Sequence, residues 1–228
     1  MPSWNIHTAH VERLLREEEP DALGIRNLNC FLFGNFVPDI YVGWMVPDVS
    51  HKLLYNETHL AEQAPIPVPR HEEFWDRYIG GHDASEVSDV TLGAWAHLVC
   101  DAGYNGATRA YIASIGVKPG DETRIRKQGD FELYGRTHLL SLSVSLTDEL
   151  VRECAAFPQY PIAAEDVAKT VEAADGIVEG NNAQHLEETP TYSLLTPQFF
   201  LECGNQVDED LERGLELFAH GGKVPYAS

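Results

Sequence analysis

Apolar residues in this chain recur at three- and four-residue spacing along most of its length instead of alternating, and that period selects helices over strands. The fold class this predicts is all-α. With 228 residues, 43% of them hydrophobic, one core can be buried in a single multi-helix domain over residues 1–228. No internal repeat or low-complexity tract suggests a solenoid instead.

The spacing predicts a first helix from Asn5, a residue type suited to capping, to Glu18, ended by Pro20 and Asp21, with His7, Val11 and Leu14 on one face. A second covers Asn27 to Phe36 and stops at Val37-Pro38, because proline disfavours the helical conformation in the residue before it. Residues 40–69 are punctuated by Pro47, Pro65, Pro67 and Pro69 and read as irregular, followed by a short helix at His71–Tyr78. Ser88 caps a strongly apolar helix running to Tyr104. Further helices are expected at Glu122–Ser145, Thr147–Ala156, Ala163–Ile177 and Asp208–Ala219, with a loop over Val178–Thr196 and a frayed tail from Gly221 to Ser228.

A formal charge of −20 opposes binding to long polyanions, so nucleic acid and anionic membrane surfaces are poor partners. No window offers the roughly 20 consecutive apolar residues of a membrane span. The start, Met-Pro-Ser-Trp-Asn-Ile-His, lacks the pattern of a secretory signal, and the expected location is cytoplasmic. Cys30, Cys100, Cys154 and Cys203 lie far apart without Cys-x-x-Cys spacing and read as buried free thiols.

His97 and Asp101 carry the clearest chemistry. Four residues apart on the apolar helix, they lie one turn apart on the same side, so both side chains can reach one cation or simply form a hydrogen bond along the helix. Asp39, read as following a helix C-terminus, would face the negative end of the helix dipole, a placement that a cation would relieve; an Asx-type turn after Pro38 accounts for it equally. His59 falls in the irregular stretch, where a solvated loop histidine is the ordinary reading.

Order and flanking residues connect these positions. Met-Pro with His7, the run Phe-Gly-Asn-Phe-Val-Pro-Asp ending at Asp39, Thr-His at His59, and Leu-Gly-Ala-Trp-Ala-His-Leu-Val-Cys-Asp over Leu92–Asp101 together resemble the zinc-dependent phospholipase C family across the first hundred residues. The resemblance implies a compact helical bundle around a metal cluster. Asp39, His59, His97 and Asp101 would bind one zinc. His7 and the bridging Asp101, with the amino terminus, would hold a second. It also implies hydrolysis of phosphate esters, with Asp39 as the catalytic base and a small phosphoester or a phospholipid as substrate. The alternative is a non-catalytic metal-binding or scaffold protein that keeps the inner site.

The chain departs from the family after Asp101, where no histidine occurs until His138, so two ions are expected instead of three. Asp130 and His138, on one face of the predicted Glu122–Ser145 helix with Tyr134, are reserve ligands or a satisfied polar face. Mixed His/Asp ligands admit zinc, iron or manganese. His82-Asp83 follows two glycines and reads as loop; His10, His51, His71, His185 and His220 have no partner spacing. Arg124, Arg126 and Lys127 read as a solvated helix face.

Overall fold

A computed structural model describes residues 2–221 and, among them, helices joined by turns and extended segments, with no strand. Helix α6 (Asp89–Ser114) is the axis of the fold. It is buried on nearly all sides over Asp89–Ala102, and a helix apolar all round belongs at the centre of a bundle. Ser88 caps it as expected, its hydroxyl accepting from the Thr91 amide at 3.1 Å. The helix runs ten residues beyond the expected end at Tyr104, because no proline intervenes and an isolated helical glycine, Gly106, is tolerated.

Around α6 stand α1 (Trp4–Glu17), α2 (Leu28–Gly34), α3 (Val37–Ile40), α4 (Tyr55–Thr58), α5 (His71–Tyr78), α7 (Asp121–Gly135), α8 (Asp148–Ala155), α9 (Ala164–Ala183) and α10 (Pro197–Ala219). A 3-10 turn at Pro20–Leu23 follows α1. One continuous hydrophobic core draws on residues from Trp4 to Phe218, as a single-domain bundle requires.

The closest helix crossing is that of α2 with α6, and two glycines make it possible. A Cβ at Gly93 would stand 2.0 Å from the Phe31 carbonyl oxygen, and one at Gly34 would stand 2.4 Å from that of Val90. Backbone therefore lies directly on backbone here, which brings the end of α2 against the middle of α6.

Several element boundaries differ from expectation. The helix expected over Glu122–Ser145 ends at Gly135, and an extended segment follows. Its backbone is paired with side chains: the Leu140 amide donates to Asn182 Oδ1 at 3.0 Å, those of Ser141 and Leu142 to Glu12 Oε1 at 2.5 and 2.7 Å, and that of Ser145 to Asn29 Oδ1 at 2.6 Å. Leu140, Leu142 and Val144 alternate with serines there, a period of two that marks extended chain. Helix α9 continues to Ala183 instead of Ile177, and α10 starts at Pro197 instead of Asp208, capped by Thr196, so the loop between them shrinks to residues 184–196. The first helix is flanked by Ser3, not capped by Asn5.

All four cysteines are buried and free. No helix among the described residues is long and apolar enough to cross a membrane. The expected frayed tail, Gly221 apart, lies outside the described residues.

Candidate metal centre

Four elements deliver the five expected ligand residues to one buried point. Helix α1 supplies His7, α3 supplies Asp39, the residue closing α4 supplies His59, and α6 supplies His97 and Asp101. His59 Nε2 lies 3.1 Å from His97 Nε2, 3.6 Å from Asp39 Oδ1 and 3.7 Å from Asp101 Oδ2. His97 Nε2 lies 3.9 Å from Asp101 Oδ2, and His7 Nε2 is 3.6 Å from Asp101 Oδ1. Donor atoms about 2.1 Å from one tetrahedral ion stand roughly 3.4 Å from each other, so these separations suit ligands around a cation. Two overlapping groups qualify, His7 with His97 and Asp101, and Asp39 with His59 and His97, the donor atoms within each lying within 4.8 Å of one another.

The residues behind the donors decide which lone pairs face inward. His97 Nδ1 lies 2.7 Å from the Asn35 carbonyl, which can only accept, so Nδ1 carries the proton and Nε2 of the neutral ring is bare. The glycine-mediated crossing of α2 on α6 is what brings Asn35 within reach. His59 Nδ1 lies 2.8 Å from the Thr58 hydroxyl, which also approaches the Tyr55 carbonyl at 3.3 Å. When Thr58 donates to Tyr55, His59 must donate from Nδ1, and its Nε2 is bare as well. Two bare nitrogens 3.1 Å apart repel unless a cation lies beside them. When Thr58 instead donates to His59, the His59 Nε2–H can donate to His97. Arrangements of Thr58 and His59 with and without a cation would thus be related by the placement of two protons.

Carboxylate positions are fixed in the same way. The Trp4 indole donates to Asp39 Oδ2 at 3.1 Å, leaving Oδ1 toward His59. The Tyr55 hydroxyl donates to Asp101 Oδ2 at 3.0 Å, while its ring stacks on that of His59 with centroids 3.7 Å apart. Both His7 nitrogens and Asp101 Oδ1 are buried without a hydrogen-bond partner. Unsatisfied buried polar atoms are costly, and a cation beside His7 Nε2 and Asp101 Oδ1 would satisfy two of these three. His7 also stacks on His97, centroids 4.1 Å apart.

Burial sets the protonation of the cluster. It lowers the His7 imidazole to about 3 and takes His59 well below the ordinary histidine range, so both rings are neutral and competent as ligands. Burial pushes the Asp39 carboxyl up to about 6. For Asp101 burial favours the neutral acid, but the neighbouring His7, His97 and His59 outweigh it and hold the carboxyl below its ordinary range.

Asp39 is not placed as its dipole argument required. Val37–Ile40 forms a separate helical turn with Pro38 near its start, so Asp39 sits in a first turn and not beyond a C-terminus. The macrodipole reason for a cation there fails, and the contacts with Trp4 and His59 replace it. Leu60, directly after His59, adopts φ 51°, an uncommon conformation for a bulky residue. Arg70 pins this point: its side chain donates to the Leu60 carbonyl and its amide to that of His59 at 3.3 Å.

Asp130 and His138 belong to neither group of donors. The Asp130 carboxylate is consumed by the backbone, accepting from the amides of Ser193, Leu194 and Leu195 at 2.6, 2.7 and 2.8 Å, and it holds the 184–196 loop instead of an ion. His138 lies beyond the end of α7, off the helical face it was expected to share with Asp130, because the helix stops at Gly135. Arg124 is exposed, but Lys127 is buried, its ammonium 5.7 Å from the centre of the Phe131 ring, so it is no part of a solvated face. Met1, and with it the amino terminus, lies outside the described residues; Pro2 is buried.

Sequence reasoning missed Trp4, Asn35, Tyr55 and Thr58. Tyr55 carried a signal, since it stands four residues before His59 at helical spacing; the contacts of Trp4 with Asp39 and of Asn35 with His97 carried none. Comparison with protein families, with curated proteins and with solved structures finds no match in any of the three.

Proposed function

We propose that this protein binds transition-metal ions, zinc foremost, at the centre formed by His7, Asp39, His59, His97 and Asp101, and that it acts as a metal-dependent hydrolase of phosphate esters. The observation that carries the metal reading is the convergence of bare imidazole nitrogens and carboxylate oxygens at one buried point, where His7 Nε2 and Asp101 Oδ1 have no hydrogen-bond partner. The hydrolase reading rests on the resemblance of the first hundred residues to zinc-dependent phospholipases C.

Asp39, His59 and His97 would hold one ion with Asp101 Oδ2, and His7 with Asp101 Oδ1 would hold a second. His97 has a single free nitrogen and cannot serve both, so Asp101 is the bridging residue. A bound ion supplies Lewis acidity toward a phosphoryl oxygen and lowers the pKa of a bound water to about 7. Asp39 would accept the proton from attacking water through a remaining lone pair, since the Trp4 indole takes one position on Oδ2 and the ion would take one on Oδ1. Asn35 and Thr58 keep the two imidazoles oriented, the role of outer partners in metal sites.

One observation favours the second reading, a metal-binding protein without catalysis: His59, His97 and Asp101 are fully buried, and His7 and Asp39 are only 1% and 4% exposed. Elemental analysis of protein purified without added metal, with turnover of a chromogenic phosphodiester and phosphomonoester, tests both. Bound metal with chelator-sensitive turnover supports the hydrolase. Bound metal without turnover leaves the metal-binding reading, and no metal even after reconstitution overturns both.

A further inference from the structure

A second concave site lies on another face of α1. A cavity of about 330 Å³ is walled by Arg13 and Arg16 from α1, by Thr137 and His138 from the turn after α7, and by His185 after α9. That volume is in the range of small-molecule pockets. His138 Nε2 and His185 Nδ1 are buried with no hydrogen-bond partner, so two imidazole groups in the walls of one cavity are unsatisfied. Arg16 makes no ion pair or side-chain hydrogen bond among the described residues.

The walls are fixed to each other before any ligand arrives. The Leu186 amide donates to the Arg136 carbonyl at 2.8 Å, and Asn181 Nδ2 donates to the His138 carbonyl at 2.8 Å, tying the end of α9 to the turn after α7. Such preorganisation lowers the cost of binding.

Charge decides the ligand class. A cation is disfavoured by two guanidinium groups, and Arg13 depresses His138 after burial itself does. One acid, Glu12, also lines the cavity, and its Oε1 and the Asp208 carboxylate are already engaged. Glu12 Oε1 accepts from the amides of Ser141 and Leu142 and from the Ser141 hydroxyl, and Asp208 accepts from Arg13 Nε at 2.7 Å and pairs with His10. Arg13 is therefore partly compensated and Arg16 is not. The donors come from three separate walls, an arrangement that suits the tetrahedral oxygens of a phosphate group better than a planar carboxylate.

We infer that the cavity between Arg13, Arg16, His138 and His185 is a binding site for a phosphate group, carried by a small phosphate monoester or as free inorganic phosphate. Arg16 supplies the open charge-assisted contacts, and the unpartnered His138 Nε2 and His185 Nδ1 are the further donors.

The test is titration of metal-replete, 15N-labelled protein with inorganic phosphate and, separately, with glycerol 3-phosphate, following the histidine side-chain resonances. Saturable shifts at His138 and His185 are expected. Tighter binding of the ester identifies an organic phosphate, and equal or tighter binding of the inorganic ion identifies free phosphate. Arg16→Gln and His185→Gln should each weaken binding about tenfold, the effect of one lost charge-assisted or neutral hydrogen bond. Neither should change metal content. Shifts confined to His7, His59 and His97 would place the anion on the metal centre and overturn the inference. So would binding of unchanged affinity in the Arg16→Gln/His185→Gln double variant, or no saturation at about 10 mM, where even weak specific sites fill.

Discussion

The contact of α2 with α6 gives a test that links a glycine with no polar atom in its side chain to metal affinity. In Gly93→Ala the new Cβ would stand 2.0 Å from the Phe31 carbonyl oxygen, 2.8 Å from the Gly34 Cα and 3.0 Å from the Asn35 amide, where ordinary contact begins at 3.4 Å. All three neighbours are backbone, so no rotamer change relieves the overlap and α2 must shift outward by more than an ångström. Overpacking of this kind costs about 1–3 kcal/mol. For a chain of this size that lowers the melting temperature by roughly 2–12 °C. The same shift pulls the Asn35 carbonyl from His97 Nδ1, now at 2.7 Å, and loss of such an outer partner typically weakens metal binding about 10- to 100-fold. Gly106→Ala and Gly129→Ala are the controls: both glycines are helical with nothing within 4 Å of the new Cβ, so each should be neutral or stabilising by up to about 1 kcal/mol. Thermal melts and zinc competition against a chelating dye read both effects. A Gly93→Ala protein with wild-type melting temperature and zinc affinity would refute the coupling of the crossing to the metal centre.

His97→Ala should abolish metal binding and leave Asp39 and Asp101 as close buried acids; chelator should lower the wild-type melting temperature and leave that of the variant unchanged, whereas a wild type insensitive to chelator denies the metal a stabilising role. Asp130→Ala leaves three backbone amides without their acceptor and should cost on the order of 3 kcal/mol with metal content intact; loss of metal at unchanged stability would restore Asp130 as a ligand. His138, lowered by burial to about 4, stays neutral in the folded state while the unfolded state takes up a proton below about 6.5. Stability should therefore rise with pH between those values, by roughly 3 kcal/mol from this residue, and His138→Gln should flatten the slope by up to one proton in a phosphate-free buffer. Denaturant melts that give equal pH slopes for variant and wild type would contradict the buried neutral imidazole.

The helical class was legible because it is written locally. Ser88, Thr147 and the His71–Tyr78 pattern lie at the observed helix ends or next to them, and the His97–Asp101 spacing puts both side chains on one side of α6 whatever surrounds it. Where the local reading failed, the misleading signal was also local. Helical propensity carried the α7 prediction past Gly135, although the alternation of Leu140, Leu142 and Val144 marked extended chain, and Pro197 with Thr196 marked the true start of α10.

By itself the sequence determined the period of the helices, some of their caps, such as Ser88 and Thr147, and the inventory of donors, His7, Asp39, His59, His97 and Asp101. Only the tertiary structure decided which donors meet and which are spent elsewhere. Asp39 and Asp130 are the same residue type, each on a helix and each buried; one turns an oxygen to His59 while the other caps a loop 63 residues away. A residue's spacing fixes the face of the helix it occupies, but what that face meets depends on the packing of remote elements. Here that packing is the approach of Gly34 to Gly93, which no periodicity within either helix encodes.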